Sequence, residues 1–169
     1  NLKKSLNELK MIDINELKPF EKILDKMLFI VAEYKGDLVK DVVQAVKTCI
    51  KFNLIQQGYT FLEENIFNFF CIELGQDACD KHFRMYISKI LNSIGNNING
   101  EGQNISLEKD ENEIKDHMIQ MIGKAVIQKM SKLLADISER RNDINHAGYR
   151  DTRIRVASAD KFTIQLVNY

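Results

Sequence analysis

Apolar residues recur at three- and four-residue steps along most of this chain, the spacing of one face of an α-helix. Leu2, Leu6 and Leu9 open a short amphipathic segment. Pro19 stands where a first helical turn tolerates it, ahead of Phe20, Ile23, Leu24, Met27, Leu28, Val31 and Tyr34. Gly36 and Asp37 close that helix and start another, which carries Leu38, Val42, Val43, Val46, Ile50 and Leu54. After Gln56-Gln57-Gly58 comes a strongly apolar run with Tyr59, Leu62, Ile66, Phe69, Phe70 and Leu74, stopped by Gly75. Aromatics at this density point to a core or a partner interface rather than a cofactor pocket. Asp77 is the expected cap of the next helix, whose stripe is Ala78, Phe83, Tyr86, Ile87, Ile90, Leu91 and Ile94.

Residues 95–112 change character to Gly, Asn, Gln, Ser and acids, and read as a long surface loop inside one domain. Helical spacing resumes at Glu113 and runs through Ile114, Met118, Met121, Ile122, Ala125, Val126, Met130, Leu133, Leu134 and Ile137. Ser138, Asn142 and Asp143 all suit a helix cap, so a kink or break is expected between Ser138 and Asp143. Residues 154–169 show no clear period, and Phe162, Ile164, Leu166 and Val167 fit either a short helix or an extended tail. The sum is an all-α bundle of about five to six helices, with residues 1–169 forming a single domain.

Composition narrows the choice of partner. At 169 residues the chain is long enough to bury a real core. Its 24 Lys and Arg balance 24 Asp and Glu, so no global basic field steers nucleic acid and any such binding must be local. Residues 139–155 offer a place for it, with Arg140, Arg141, Arg150, Arg153 and Arg155 against Glu139, Asp143 and Asp151. Cys49, Cys71 and Cys79 form no pairable framework and lie in largely apolar contexts, as expected of buried thiols in a reducing cytoplasm. Cys79 and His82 are three apart, but a metal site wants three or four ligands and no second cluster accompanies them; neither a metal nor another cofactor is expected. No apolar run reaches the ~20 residues of a membrane span, and a cytoplasmic protein without membrane contact is expected. Asn1 in place of Met reads as the start of a piece of a longer chain, or of an incomplete N-terminus.

The chemistry-bearing text is Arg140-Arg141-Asn142-Asp143-Ile144-Asn145-His146-Ala147-Gly148-Tyr149-Arg150. It resembles the Arg-x4-His motif of HEPN-type ribonucleases, with Arg141 and His146 as its ends and Asn142 as the polar residue that commonly follows the Arg. Within that family the chain looks most like the C-terminal effector domain of CRISPR-associated CARF-HEPN proteins of type III systems. Gln57-Gly58-Tyr59-Thr60-Phe61-Leu62-Glu63-Glu64 is similar to an early helix there. The resemblance implies a small helical bundle that dimerises so that the motifs of two chains meet, and a metal-independent endoribonuclease acting on single-stranded RNA in antiviral defence. Arg141, His146 and Asn142 would be catalytic, and Arg140, Tyr149, Arg150 and Arg153 would bind RNA. In that family a sensor domain binds cyclic oligoadenylate. No alternation of strands and helices that would build one is present here, so that ligand is not expected to bind this chain.

The residue types suit this chemistry. Attack by the ribose 2′-hydroxyl needs a group that moves a proton near neutral pH, which is His146, and fixed positive charge on the phosphate, which is Arg141. Asn142 can donate to a phosphate oxygen or hold the imidazole in one tautomer. Five residues advance an ideal helix by about 500°, leaving Arg141 and His146 roughly 140° apart, whereas Asn142 and His146 share a face. The helix must therefore break within the motif, Arg141 must reach around it, or two chains must pool their groups; the small pair Ala147-Gly148 suits close approach by a second chain. Two other readings are open. One is a HEPN toxin neutralised by a nucleotidyltransferase-like antitoxin; the other is a non-catalytic helical dimerisation module in which Arg141 and His146 only make interface hydrogen bonds.

Overall fold

The computed structural model describes residues 4, 5, 7, 8, 20–99, 106–145 and 159–169, with the backbone alone at 96–99. Its helices are α1 (Glu21–Ala32), α2 (Leu38–Lys51), α3 (Ile55–Glu73), α4 (Lys81–Asn99), α5 (Lys109–Ile122), α6 (Lys124–Asn145) and α7 (Ala159–Asn168); no strand occurs among the described residues. The all-α expectation holds among the described residues, which form seven helices instead of five to six. Two local causes account for the difference. Gly123, at φ +93°, divides the run from Glu113 onward into α5 and α6, and residues 159–168 form a helix rather than a tail.

Several boundaries follow from residues that take the left-handed conformation at little cost. Gly75 (φ +66°) ends α3 as expected: its N–H donates to Ile72 O and that of Gln76 to Cys71 O. Asn53 (φ +57°) ends α2 in the same way, through Asn53 N–H to Ile50 O and Leu54 N–H to Cys49 O. The break between α2 and α3 therefore lies at Asn53, not at Gln56–Gly58, and Gly58 is a buried position inside α3. A Cβ there would lie 2.6 Å from Leu166 Cδ2, so the bare backbone is what lets α7 approach. Asp37 caps α2 as expected, accepting from Lys40 N–H at 3.1 Å. For α4 the cap is Asp80, which accepts from His82 and Phe83 N–H, while Asp77 accepts from Cys79 N–H in the turn before it.

Helix also reaches further into 95–112 than expected, because α4 continues to Asn99 and α5 begins at Lys109; residues 100–105 lie outside the described residues. Glu111 shapes this start: its carboxylate accepts from Glu108 N–H at 2.7 Å and pairs with Lys89 of α4 at 2.7 Å.

The long helix α3 is the hub, packing against α2, α4, α5, α6 and α7. Its core side chains Tyr59, Ile66 and Phe70 join Ile87, Ile90 and Leu91 of α4, Met118 of α5, Ile127, Leu134 and Ile137 of α6, and Phe162 and Leu166 of α7. A helix surrounded in this way buries polar residues too, and each needs a partner. Asn65 donates to Val39 O at 3.1 Å, and Asn68 accepts from Arg84 at 2.7 Å. Cys49 and Cys71 are buried as expected, whereas Cys79 is exposed because it precedes α4 in the turn. The apolar stripe of α1 buries no residue, and Phe20, Ile23, Met27 and Phe29 are exposed.

Candidate functional site

Helix α6 carries Ser138, Arg141, Asn142 and Asn145 at steps of three and four, which places them in one stripe along its axis. Three of them face α3. Ser138 Oγ donates to Glu63 Oε1 at 3.0 Å, Arg141 Nη1 lies 2.6 Å from Glu63 Oε2, and Gln56 Nε2 donates to Asn145 Oδ1 at 2.7 Å. Partner numbers rise along α3 as they fall along α6, so the two helices run antiparallel here. The pairing joins the two stretches singled out in the sequence, 57–64 and 140–150, which are far apart along the chain.

Glu63 is the anchor of this junction. It is only 7% exposed, and it occupies the same stripe of α3 as the buried Tyr59, Ile66 and Phe70, where an apolar residue is the norm. The side chain of Arg141 remains 31% exposed, so Nη1 is tied inward while part of the side chain still meets solvent. The ion contact is close but not aligned as a hydrogen bond: Glu63 Oε2 and the buried Nε of Arg141 both lack a hydrogen-bond partner.

Arg140 turns to a different side of α6. Its Nε lies 3.5 Å from Asp136 Oδ1, and Asp136 Oδ2 accepts a hydrogen bond from the Tyr169 hydroxyl. Beneath them Tyr59 is fully buried, donates to Phe162 O at 3.0 Å and meets the rings of Phe162 and Tyr169 edge-on. Burial pushes the Tyr59 phenol up to about 12; the Arg140 charge opposes this and the Asp136 charge adds to it. Arg140 and Arg141 are thus each matched with a carboxylate, and the local excess of positive charge read from the sequence is partly offset.

The break expected between Ser138 and Asp143 does not occur, because α6 continues to Asn145. Its caps are not needed there: Ser138 is engaged with Glu63, and the apolar stripe extends through Ile137 and the half-buried Ile144. Asn142 is half-buried on α6, one residue beyond Arg141. His146, Tyr149, Arg150 and Arg153 lie outside the described residues, as do Ala147 and Gly148. Asp136, which holds Arg140, was not singled out in the sequence, and Glu63 figured there only as part of the stretch 57–64, with no role of its own. The signal for Glu63 was an acid in a core register of α3.

Among the described residues no three His, Cys, Asp or Glu side chains come together so as to hold a metal ion, and no helix is long and apolar enough to cross a membrane. Comparison with protein-family profiles, with curated proteins and with solved structures returns no match.

Proposed function

We propose that this chain is a metal-independent endoribonuclease that cuts single-stranded RNA by attack of the ribose 2′-hydroxyl, at a site pooled by two copies of the chain. The observation that carries the reading is the polar stripe Ser138, Arg141, Asn142 and Asn145 on an unbroken α6, with a tethered but partly exposed Arg141 five residues before His146 in the sequence. Among the described residues the helix stays regular from Arg141 to Asn145, and five residues of ideal helix would set Arg141 and His146 roughly 140° apart. A two-fold axis beside the motif overcomes this divergence by supplying two Arg141 and two His146 to one cleft. There one imidazole takes the 2′-hydroxyl proton while the oxygen attacks phosphorus. The bond to the 5′-oxygen breaks, and that oxygen receives a proton from the second imidazole. Arg141 stabilises the charge that accumulates on the phosphoryl oxygens.

The cellular role that goes with this reading is the effector domain of a type III CRISPR ribonuclease, its cyclic oligoadenylate sensor lying on another domain. A HEPN toxin would share the chemistry and differ in its partner. A second reading is a non-catalytic helical dimerisation module; the Glu63–Arg141 contact supports its non-catalytic side alone, because an ion pair between two helices of one chain is also a purely structural device. The products decide between them. Incubation with RNA in EDTA should yield 2′,3′-cyclic phosphate and 5′-hydroxyl ends, and RNA methylated at the 2′-oxygen should survive. Activity that vanishes in EDTA and returns with magnesium would refute the mechanism, and absence of cleavage under both conditions would leave the structural module as the answer.

A further inference from the structure

We propose that Glu63 is a positioning residue, holding the Arg141 guanidinium in the orientation in which it meets the scissile phosphate; the inference rests on the ribonuclease reading above. A carboxylate with a 10% exposed side chain in an apolar stripe is costly to place, and breaking such a pair costs more than never having had it. Replacement of a buried ion pair by apolar residues of similar volume is often neutral or stabilising, so stability alone is a weak reason for this arrangement. What the pair does provide is direction. Ser138 and Arg141, one helical turn apart on α6, take one carboxylate oxygen each, at 3.0 and 2.6 Å. The carboxylate is thereby fixed, and the guanidinium it touches loses rotamer freedom before any RNA arrives.

The same contact tempers the charge. Glu63 sits against Nη1 and offsets part of the cation, which weakens attraction for the RNA backbone in the ground state. The guanidinium nitrogens that Glu63 does not touch are then the ones left to donate to a phosphate as negative charge develops. Loss of the carboxylate is therefore expected to move binding and turnover in opposite directions: RNA affinity holds or improves while the chemical step slows. A packing role for Glu63 does not produce that split.

The experiment measures kcat and KM for RNA cleavage by the parent, Glu63→Gln, Arg141→Ala and the double variant, with urea unfolding as a check on folding. Glu63→Gln keeps shape and can still bond Ser138. It should lower kcat by about 10- to 100-fold, the scale of a small misplacement of a reacting group, without raising KM. In the Arg141→Ala background the same change should cost no further activity, because its only route is through Arg141. Full activity of Glu63→Gln where Arg141→Ala is impaired overturns the positioning role and leaves the ribonuclease reading standing, as does a double variant whose losses multiply. Arg141→Ala cleaving like the parent overturns both. Should Glu63→Gln fail to fold, Ser138→Ala removes only the second tether of the carboxylate: a several-fold fall in kcat at constant KM is expected, and an unchanged kcat overturns the role.

Discussion

Replacing Tyr59 by Phe should weaken the fold at neutral pH and strengthen it in alkali. The ring is fully buried and its hydroxyl donates to Phe162 O at 3.0 Å, so the variant keeps the packing and loses one buried hydrogen bond, about 1 kcal/mol. The pH term has the opposite sign. An exposed phenol in the unfolded chain ionises near pH 10, whereas burial raises that of folded Tyr59 to about 12. A raised folded value contributes stability that is whole below the unfolded pKa and is lost as pH rises through the folded one. At pH 11 the unfolded phenol is mostly ionised and the folded one mostly is not, which removes roughly 1.4 kcal/mol from the parent, and about 2 kcal/mol is gone by pH 12. Phe carries no such loss, so the stability curves should cross a little below pH 11. Urea unfolding followed by circular dichroism at pH 7, 9 and 11 measures this; with a slope of roughly 2 kcal/mol per molar, the pH 7 difference is about 0.5 M in midpoint. Lysine titration is common to both proteins and cancels in the comparison. A constant gap between parent and variant from pH 7 to 11 would refute the claim that Tyr59 stays buried and protonated beneath α7.

Glu111→Gln should destabilise at pH 7, because hydrogen bonds from Lys89 and from Glu108 N–H hold the Glu111 carboxyl below the usual carboxylate range. That stability is whole above the ordinary carboxylate pKa of ~4.3 and lost as pH falls through the lowered folded value, so the gap between parent and variant should close in acid; a gap that persists there contradicts the assignment. Gly58→Val puts atoms where a Cβ already lies 2.6 Å from Leu166 Cδ2, and should cost about 1–3 kcal/mol of overpacking, read as a lower Tm; an unchanged Tm means that α7 does not dock on this position. Sedimentation should show a dimer at the concentrations at which RNA is cut, and full activity from a population of monomers would rule out the pooled site.

The parts of the fold that could be read from sequence are those set by neighbours along the chain. Asp37 and Gly75 mark helix ends through hydrogen bonds spanning three to five residues, and the stripe of α4 delivers Ile87, Ile90 and Leu91 to the core as its spacing implies. Glycine misled in both directions. Gly58 looked like punctuation but serves close packing against α7, while Gly123, hidden in an apolar run, ends a helix with positive φ. The α1 stripe shows that amphipathicity fixes which face is apolar and not whether anything covers it. At the candidate site, Arg141 and Asn142 stood out through their spacing to His146. Glu63 did not, because its role depends on Ser138, 75 residues away, and on the antiparallel register of α3 and α6.

The central claim is that His146, together with Arg141, moves the proton in RNA cleavage, and its most direct test is the initial rate of His146→Ala against the parent in EDTA. Loss of a general acid-base group should slow cleavage by about 10²- to 10⁴-fold while circular dichroism shows the same helix content. A variant equally helical and equally fast would contradict the account.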